Sequence, residues 1–588
     1  MWVFDKRENF VSYHPEKIAD EDGKPLITAD QIPVENAEMF LFKLMFSDKL
    51  MTDIIKESDT YFRNRLKRQY GENYASKEFT SNSLPAIYLK TGGLIVEDLQ
   101  AYIACLLFMG ILHLPRLDNY WSSEQIYRNF IPKVMSKNFF KMISAVLHLP
   151  ISGDGNFVDD EEEDKENDET FSKMMDDVSS KMTLTEDESK VVNYDDGKQH
   201  EKIIKNNNVP SSNGLGNDEQ SQQSQQSQLG EGKKKKKSRR DLNFEDPRIK
   251  VKHYLEEIVA NGQKIFSCGR DVTIDESMIH FEGRSSLIFY MPAKPTKWGF
   301  KLHCLVDSKS HYFYDFIFDP GQNYRNLIME DEEISFTENI VLSLLKKLEH
   351  KGHRVFFDSW YSSVSLVEKL TERGFQVIST LRNTSKNLPS KAEFNKNSKN
   401  FAYCNEKRAL IQKYSDKKDV YFISNYDMPL DDMRNTYNFQ NRGVDKMNEN
   451  MSFYNIERRT IKWWKKIFFF GIELSITNAK ILHDKFFHSY SGYDQLAFRR
   501  NLIMQLVQGY ARPDAGGDVK HHVPGSIPLK YLNMLHDLTF VPGKGRCCVY
   551  CYQKGRYDTN TTYKCTQCGK ALHPQCFLYW HKKNVYSI

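Results

Sequence analysis

The sequence predicts a multidomain protein that combines α/β and all-α parts. Three observations support this class. The chain has 588 residues, which allows roughly three or four domains of ordinary size. Its middle alternates strand-like and helical patterns, and six of its ten cysteines lie in the last 42 residues. Hydrophobic residues make up 40% of the chain, which is enough to form substantial cores.

The charge is distributed unevenly along the chain. The formal net charge is +4, but residues 151–246 hold 24 acidic and 14 basic residues, so the remainder carries +14. A folded part this basic favours an anionic partner, and nucleic acid is the first candidate. The longest uninterrupted apolar run, 101–112, is too short for a bilayer, which needs roughly 20 residues. We therefore expect no membrane partner, and the first residues show no secretory signal.

The first part of the chain is predicted to be helical. An N-terminal segment, 1–35, is followed by a helical region over 36–150, because apolar residues recur at helical spacing in three stretches: 36–51, 95–112 and 135–149.

Residues 151–246 are predicted to be a disordered insert. Nine of the eleven residues in 159–169 are acidic, 221–228 reads SQQSQQSQ, and 233–240 reads KKKKKSRR. Such a segment cannot bury enough apolar surface to offset its ordering entropy. The basic run has two interpretations that the sequence leaves open: a solvated charge block, or a nuclear localisation or phosphate-contact signal.

An α/β pattern begins at residue 247. Strand-like runs at 272–275, 301–306 and 311–318 precede an amphipathic helix over 337–350, with a Thr337 cap, and then a strand over 353–358. The predicted organisation of this half is an α/β core over 247–384, a β-rich insertion over 385–430, a helical return over 431–512, a linker over 513–545, and a small module over 546–588.

Three acidic residues stand out by their placement. Asp275 lies inside a strand (VTIDESMIHF), Asp358 ends a strand (RVFFDSW), and Asp445 lies near the start of a helix (NRGVDKMNEN). An isolated carboxylate in a buried strand is costly unless it faces a metal or a cleft. Mg²⁺ prefers oxygen ligands, and two such ions assist displacement at a phosphodiester. Each Asp alone is also an ordinary turn or cap residue, so the hypothesis depends on all three.

The C-terminal cysteines have the spacing of zinc ligands. Paired Cys-x₂-Cys motifs place two thiolates at tetrahedral spacing, and about 40 residues need metal to supply folding energy. Two four-coordinate Zn²⁺ ions need eight ligands, whose pairing the sequence leaves open. Seven candidates are clear, and Cys547 is a possible eighth: Cys548, Cys551, Cys565, Cys568, His573, Cys576 and His581.

Basic and aromatic residues alternate in two places. Nucleobases stack on tryptophan, and Lys and Arg neutralise phosphates, so these residues are candidates for DNA contact. For the segment around Trp463, the alternative is a helix whose aromatic side faces the core and whose basic side faces solvent. For Lys294 and Lys297, the alternative is a solvated edge. The candidates are Lys294, Lys297, Arg458, Arg459, Lys462, Trp463 and Lys465.

Three ordered blocks resemble piggyBac-type DNA transposases. They are TIDESMIHFEGRSSLIFYMPAKPTKWGFKLHCLVDS, VFFDSWYSSVSLVEKLTERGFQVISTLRN and YNFQNRGVDKMNENMSFYNIERRTIKWW. The resemblance covers roughly 30–150 and 247–510, together with the cysteine module, and it is specific because the blocks occur in the right chain order.

The resemblance implies a ribonuclease-H-like catalytic core with a DDD triad at Asp275, Asp358 and Asp445 that binds Mg²⁺ or Mn²⁺. It implies excision at transposon ends through hairpin intermediates and integration at TTAA targets. It further implies a flanking helical dimerisation and DNA-binding region, a tryptophan at Trp463, and a cysteine-rich domain that recognises end DNA. The partners would be transposon-end double-stranded DNA, TTAA target DNA and at least a second copy of the chain, in the nucleus.

Two features depart from the family pattern. The family often carries a further acid where this chain has Asn448, which supports the site without a charge, and the insert at 151–246 has no family role. The alternative function is a domesticated relative that binds DNA or chromatin without cutting. A chromatin-reader module is the competing interpretation of the zinc domain, and a metal-dependent nuclease of other purpose is a third possibility.

Overall fold

The protein, in a computed structural model, is built around one long mixed sheet with helices on both of its faces. The structure describes residues 2–33, 36–151, 246–292, 294–382, 384–385, 388–389, 393–394, 400–415, 418–456, 458–487, 493–510, 538–541, 545–553, 560–565, 570–573 and 576. The predicted insert falls almost entirely outside these residues, and so does most of the predicted linker.

The region predicted to be helical over 36–150 is helical. The predicted helix over 36–51 is divided in two, because the Ser47 hydroxyl accepts a hydrogen bond from the N–H of Leu50 and starts a new helix. That second helix continues well beyond the prediction. In the described residues, the α-helices of this region are α1 (Ala37–Lys43), α2 (Asp48–Tyr70), α3 (Leu84–Thr91), α4 (Val96–Ile111), α5 (Ile131–Val134) and α6 (Lys137–Val146).

The central sheet contains nine strands in the described residues, in the order β4-β5-β3-β7-β8-β11-β10-β9, with β6 also paired to β5. Strands β3, β7 and β8 are parallel, and the other pairings are antiparallel. The strands are β3 (Asp271–His280), β4 (Phe289–Tyr290), β5 (Trp298–Asp307), β6 (Phe313–Phe318), β7 (Arg354–Phe357), β8 (Gln376–Leu381), β9 (Phe401–Cys404), β10 (Ala409–Ser415) and β11 (Asp419–Ser424). A separate small ladder pairs β1 (Lys24–Pro25) with β2 (Phe266–Ser267).

The predicted β-rich insertion extends the central sheet. Its first strand to pair with the core is β11, which lies antiparallel to β8, and β10 and β9 follow outward. Burial explains the arrangement, since Ile423, Leu410 and Ala402 are fully buried and would otherwise face water.

Helices flank the sheet and connect its strands. Those in this part of the chain are α7 (Ile249–Ile265), α8 (Phe336–Leu345), α9 (Val364–Glu372), α10 (Leu430–Gln440) and α11 (Gly443–Ser452). The predicted cap of α8 was wrong: the hydroxyl of Ser335, not Thr337, accepts from the N–H of Glu338. Helix α8 also ends at Leu345, before the predicted end at residue 350.

A long buried helix joins the helical region to the sheet. Helix α12 (Trp463–Phe487) is followed by α13 (Gln495–Leu506). Phe468, Ile472 and Ile476 of α12 are fully buried in one hydrophobic core that also includes residues of α1–α6 and of the sheet. Several hydrogen bonds then join the C-terminal helical part to the first helices, among them those from Met39 N to Gln505 Oε1 and from the Tyr510 hydroxyl to Asp98 Oδ1.

The N-terminal segment is a strap across one end of the sheet. Its backbone passes the loops that precede β3 and β7, which are the amino ends of these parallel strands. Its backbone hydrogen bonds join Val3 to Tyr403, Tyr13 to Asn425, Ala19 to Gly352, Asp20 to Arg270 and Leu26 to Ile265. The strap therefore lies at the end of the sheet opposite to the carboxyl end of β7, and β3 continues beyond that point to His280.

The C-terminal module has little regular structure in its described residues. Two short ladders pair β12 (Leu538–Phe540) with β15 (Tyr563–Cys565) and β13 (Arg546–Cys547) with β14 (Asn560–Thr561), and α14 covers Val549–Gln553. Across all the described residues, none of the helices combines the length and the apolar character needed to span a membrane.

A buried ion pair fastens the amino ends of β3 and β7. Two parallel hydrogen bonds run from the Arg354 guanidinium to the Asp271 carboxylate, at 2.8 Å (Nε to Oδ1) and 2.9 Å (Nη2 to Oδ2). The amide of Gln440, the last residue of α10, donates to the same carboxylate at 2.9 Å. Such bidentate pairs fix geometry as well as charge. We name this set, Asp271, Arg354 and Gln440, the strand clamp.

Removing Arg354 should destabilise the fold strongly. Arg354→Ala leaves the buried Asp271 carboxylate with Arg270, whose Nε lies 3.5 Å away, as its remaining counter-charge, so the loss should approach the roughly 3–5 kcal/mol of a broken buried pair. Urea denaturation of the variant measures this loss. The matched control is Lys346→Ala, which breaks the exposed pair with Glu330 and should cost less than about 1 kcal/mol. Equal losses for the two variants would contradict a structural role for the clamp.

Candidate functional site

Two of the three predicted acids lie side by side where parallel strands end. In the register of β3 and β7, Ile274 pairs with Phe357, so the next residues along, Asp275 and Asp358, follow the last paired position. The Asp358 carboxylate accepts a hydrogen bond from the N–H of Trp360 at 2.9 Å, which holds it in the turn after β7. The strand pattern thus places these two carboxylates at one edge, away from the strap.

The third acid reaches the same face on α11. Side chains alternate along a strand, so Thr273, Asp275 and Ser277 share one face of β3. The Thr273 hydroxyl donates to the carbonyl of Gln440 at 2.7 Å, and the Ser277 hydroxyl donates to Asn448 Oδ1 at 2.6 Å. Helix α11 therefore crosses the face that carries Asp275.

A glycine permits this close approach of α11. A Cβ at Gly443, the first residue of the helix, would come within 3.2 Å of Thr273 Oγ1 and 3.3 Å of Ser308 Cα. Asp445 follows two residues later and is exposed at the mouth of a cleft of about 830 Å³. We name this the acidic cleft, and its polar lining includes Glu276, Lys294, Asp445, Asn448, Arg458 and Arg459.

Asp275 and Asp358 are not among the residues that line the acidic cleft, but Asp275 interacts with two that are, Glu276 and Lys294. Burial raises the pKa of Asp275 to about 8, and a side-chain hydrogen bond with Glu276 acts in the same direction. Burial also raises the pKa of Asp358, with a further contribution from the charge of Glu276. Burial would lower the pKa of Lys294, but the charges of Asp275, Glu276 and Asp445 outweigh it, so this pKa is raised. A cation is therefore favoured among these acids.

Glu276 is a site residue that sequence reasoning missed. Adjacent strand residues point to opposite faces, and this argues against a shared role for Asp275 and Glu276. The Lys294 ammonium nevertheless lies 3.3 Å from Glu276 Oε1, and the charges of Asp275 and Asp445 also raise its pKa. The only sequence signal was the consecutive Asp-Glu pair.

The predicted trio fits a magnesium or manganese site in its chemistry, although it does not form a closed set of ligands. Within the described ranges, two groups of three or more potential ligands have all their ligand atoms within 4.8 Å of one another, and Asp275, Asp358 and Asp445 belong to neither. Mg²⁺ usually takes one or two carboxylates and completes its shell with water and phosphate. Oxygen donors at one open strand end match that requirement.

Only some of the predicted DNA contacts lie at the acidic cleft. Lys294, Arg458 and Arg459 line the acidic cleft. Lys297 is exposed on the strand hairpin beyond it. Lys465 points away from the cleft, since its ammonium donates to the carbonyl of Ser144, and burial lowers the pKa of Lys465 well below its usual value.

The aromatic residue of the basic segment faces the interior. The Trp463 ring packs near Phe300 with 5.8 Å between ring centroids, and Lys462 lies beside the buried Trp464 ring at 5.9 Å. Arg458 stacks on the Phe140 ring at 4.9 Å, which joins this segment to α6. A contact of these residues with DNA remains a prediction.

The cysteine module brings together four ligands of one potential zinc site. Cys551 Sγ lies 3.6 Å from Cys576 Sγ and 3.5 Å from His573 Nδ1, and Cys548 Sγ accepts from the N–H of His573. The edges of a tetrahedron with Zn–S bonds of about 2.3 Å are roughly 3.7 Å long, so these separations fit Zn²⁺.

The surroundings of the four ligands also suit zinc. His573 Nε2 donates to the carbonyl of Asn560 at 3.1 Å, which leaves the Nδ1 lone pair free for a metal. Burial opposes ionisation of Cys548, but the backbone N–H groups of Cys551 and His573 lower the pKa of that thiol to about 7. The first Cys-x₂-Cys motif is therefore paired with His573 and Cys576.

The remaining predicted zinc ligands are not in this set. Cys565 is buried beside it and Cys547 lies at the end of β13, but neither sulfur belongs to the four-ligand group. Cys568 and His581 lie outside the described residues, so the second predicted zinc ion stays a prediction.

A second group of potential ligands is an ion-pair cluster. Asp53 on α2 meets His253 and Glu257 on α7. The Lys49 ammonium already donates to Asp53 at 3.0 Å and to Glu257 at 3.2 Å, so a lysine occupies the place where a metal would bind. We assign this group to helix packing.

Comparison with known proteins identifies relatives across most of the chain. The family model described as Transposase IS4 matches residues 38–192 and 232–480. Human PiggyBac transposable element-derived protein 3 is 25% identical over 337 residues, which is 53% of this chain and 55% of that protein. Human PiggyBac transposable element-derived protein 2 is 21% identical over 307 residues, or 47% of this chain and 51% of that protein. The chain thus spans about half the length of these relatives.

A solved structure shares the fold. The cryo-EM structure of the piggyBac transposase synaptic complex with hairpin DNA superposes with a TM-score of 0.57 and 17% sequence identity, covering 94% of this chain and 98% of that one. At this identity the likeness concerns the fold alone.

The raised pKa of Asp275 predicts a pH-dependent stability in magnesium-free buffer. The folded pKa of about 8 exceeds the ordinary value of 3.8, so between these values the folded protein keeps a proton that the unfolded chain has lost. Stability should therefore fall as the pH rises from 5 to 8.5, by an amount on the order of 4 kcal/mol.

The variant Asp275→Asn isolates this effect from other titrating groups. The free energy of unfolding of this variant, measured by urea denaturation, should fall less over the same pH range. At pH 8.5, Mg²⁺ should stabilise the unmodified chain more than it stabilises the variant. Identical pH profiles for the two proteins would contradict the assignment.

Loss of one cluster cysteine should remove one zinc ion. Cys551→Ser and Cys576→Ser each break the tetrahedral set, so elemental analysis of the purified chain should show about one equivalent of zinc less than in the unmodified protein. The matched control is Cys404→Ser, which changes a buried cysteine of strand β9 and should keep the full zinc content. Unchanged zinc in both cluster variants would refute the assignment.

Proposed function

The chain belongs to the Transposase IS4 family, in its piggyBac-like branch, and on this premise we propose that it is an active DNA transposase that cuts and joins DNA with divalent metal ions. The support for the proposal is that Asp275 and Asp358 follow the last paired residues of the parallel strands β3 and β7, while α11, the helix of Asp445, crosses the same face of β3. Asp445 is exposed, so a DNA phosphate can approach from its side.

The proposed core is ribonuclease-H-like. The support is its sheet: β6, β5 and β3 are antiparallel neighbours, and β3, β7 and β8 are parallel neighbours. The first acid lies on the central strand, and the second follows the adjacent parallel strand. A helix covering the same face brings the third.

In this mechanism Asp275, Asp358 and Asp445 would hold Mg²⁺ or Mn²⁺. The bound ions supply stabilisation of charge on the attacking and leaving oxygens of a phosphodiester. Lys294, on the cleft wall, neutralises a phosphate oxygen or an acid before metal arrives. Arg459, exposed on the same cleft, attracts the DNA backbone. Asn448 positions α11 through its hydrogen bond with Ser277.

The finer steps follow from the family resemblance. We propose that the DNA substrates are transposon ends and TTAA targets, that excision passes through hairpin ends, and that at least two copies act together. The superposed piggyBac structure is a synaptic complex with hairpin DNA, which supports this line. The nucleus is the proposed location, because the substrate is chromosomal DNA and the chain carries the basic run KKKKKSRR.

The zinc module is proposed to recognise transposon-end DNA, with a second zinc ion held by the remaining cysteine and histidine ligands. A small metal-folded module of this kind presents a rigid surface without a large core.

One observation favours a second candidate function, DNA binding without cleavage. Asn448 offers an amide oxygen where a carboxylate would add charge, and this oxygen already accepts from Ser277. A weaker metal site would leave a protein that binds DNA ends and does not cut them.

Replacing any one of the three acids should abolish cleavage while preserving binding. In Asp275→Asn, Asp358→Asn and Asp445→Asn, strand cleavage of a transposon-end substrate with Mg²⁺ should fall by more than about a thousandfold, because the metal supplies several kcal/mol of transition-state stabilisation. Affinity for the same DNA should change less than about threefold, since these residues carry little of the phosphate contact.

The matched control is Asp431→Asn, which changes an exposed acid in the first turn of α10 and should cut normally. If the unmodified chain binds end DNA tightly but never cuts it with Mg²⁺ or Mn²⁺, the DNA-binding candidate is correct instead.

A further inference from the structure

Two aromatic side chains pack against each other, with their rings tilted, at the surface of the central sheet. Tyr290 of β4 pairs directly with Trp298 of β5, and their ring centroids are 4.4 Å apart at an interplanar angle of 34°. Both remain largely exposed, Tyr290 at 54% and Trp298 at 48%. We name them the aromatic pair.

The aromatic pair lies on the face of the sheet that carries Asp275. Cys304 of β5 is the cross-strand partner of Asp275, and paired residues project to the same face. Trp298 is six residues from Cys304 along β5, an even number, so it projects to that face as well. At about 3.3 Å per residue, the pair is roughly 20 Å from Asp275.

The surroundings of the pair carry more positive than negative charge. Lys297 is exposed directly beside Trp298, and Arg284 is exposed in the loop that leads into β4. Lys294 leads from this hairpin into the acidic cleft, where it contacts Glu276. Glu282, paired loosely with His280 at 3.8 Å, is the acidic residue of the loop. A polyanion leaving the cleft in this direction would meet Lys294 and Lys297.

Packing alone does not account for the exposure of the pair. A cross-strand aromatic contact stabilises a hairpin, and Phe289 and Gly299 complete the short ladder of β4. About half of the surface of each residue nevertheless faces water. Exposed aromatic surface beside basic residues is typical of sites that stack the bases of single-stranded nucleic acid.

We propose that Tyr290 and Trp298 form a stacking site for unpaired nucleobases of a DNA strand that leaves the acidic cleft. The inference rests on the proposed function and extends it, since it assigns a ligand to a surface about 20 Å from the reacting phosphate. The occupant is single-stranded DNA because paired bases hide their faces inside the duplex. Lys294 and Lys297 contact its phosphates.

The distance sets the length of strand required. Neighbouring nucleotides of one stacked strand are about 3.4 Å apart, so at most roughly six unpaired nucleotides span the path from Asp275 to the pair. An overhang of eight nucleotides reaches the site, and a blunt end does not.

The test compares DNA ends in binding assays with the full chain and Ca²⁺ in place of Mg²⁺. The probes are one end sequence as a blunt duplex and with an eight-nucleotide 5′ or 3′ overhang. Trp298→Ala should weaken binding of at least one overhang probe roughly 5- to 150-fold, the equivalent of 1–3 kcal/mol of stacking. Binding of the blunt duplex should change less than twofold.

Three further variants separate stacking from folding. Trp298→Leu keeps an apolar side chain and should lose overhang affinity like Trp298→Ala, whereas Trp298→Phe should keep most of it. Phe439→Ala, at an exposed aromatic residue of α10, is the control and should leave all three probes unchanged. Thermal unfolding midpoints within a few degrees of the unmodified chain show that each variant is folded.

Two failures remain distinguishable. If the unmodified chain binds no DNA end at all, the proposed function fails together with this inference. If it binds and cuts DNA but Trp298→Leu affects blunt and overhang probes equally, or neither, the stacking site is refuted and the proposed function stands. An equal loss for the two probe types would mean that the pair serves only the hairpin.

Discussion

The site depends on the strand clamp between Asp271, Arg354 and Gln440. Asp271 precedes Asp275 by four residues on β3, Arg354 precedes Asp358 by four at β7, and Gln440 precedes Asp445 by five. One buried set of charged hydrogen bonds therefore fixes the starting points of all three segments that carry the acids. Each acid is only four or five residues from a member of the clamp, so the clamp that positions the three segments also positions the three acids.

The N-terminal strap and the clamp act at the same end of the sheet. The strap covers the loops before β3 and β7, where backbone groups would otherwise meet water, while α11 covers only one face at the opposite end. Stability is thereby concentrated away from the acids. The residues away from the clamp include carboxylates whose ionisation is disfavoured, as the pKa values of Asp275 and Asp358 show, which are raised first by burial and further by Glu276.

Sequence patterns predicted what depends on local periodicity. The apolar spacing of 95–112 gave α4 at Val96–Ile111, and the run before Asp358 gave β7. These patterns failed where a contact with a residue elsewhere in the fold determines the position of a side chain or the start of a helix. The cap of α8 went to Ser335 because its hydroxyl reaches the N–H of Glu338. Lys465 turned toward Ser144 because α6 lies beside α12, and period-two alternation concealed Glu276. None of these contacts leaves a trace in the spacing of neighbouring residues.

The departure at Asn448 is explained by the charge of the acidic cleft. Asp275, Glu276 and Asp445 already share the Lys294 ammonium, so another carboxylate would add repulsion where burial already disfavours the ionisation of Asp275 and Asp358. The amide oxygen of Asn448 accepts a hydrogen bond from the Ser277 hydroxyl, as a carboxylate would. It therefore keeps α11 on β3 without adding a negative charge. Asn448 therefore preserves the position of Asp445, and the proposed metal ligands are the acids on β3, after β7 and on α11. On this argument the substitution changes how strongly the cleft attracts cations and leaves its geometry intact.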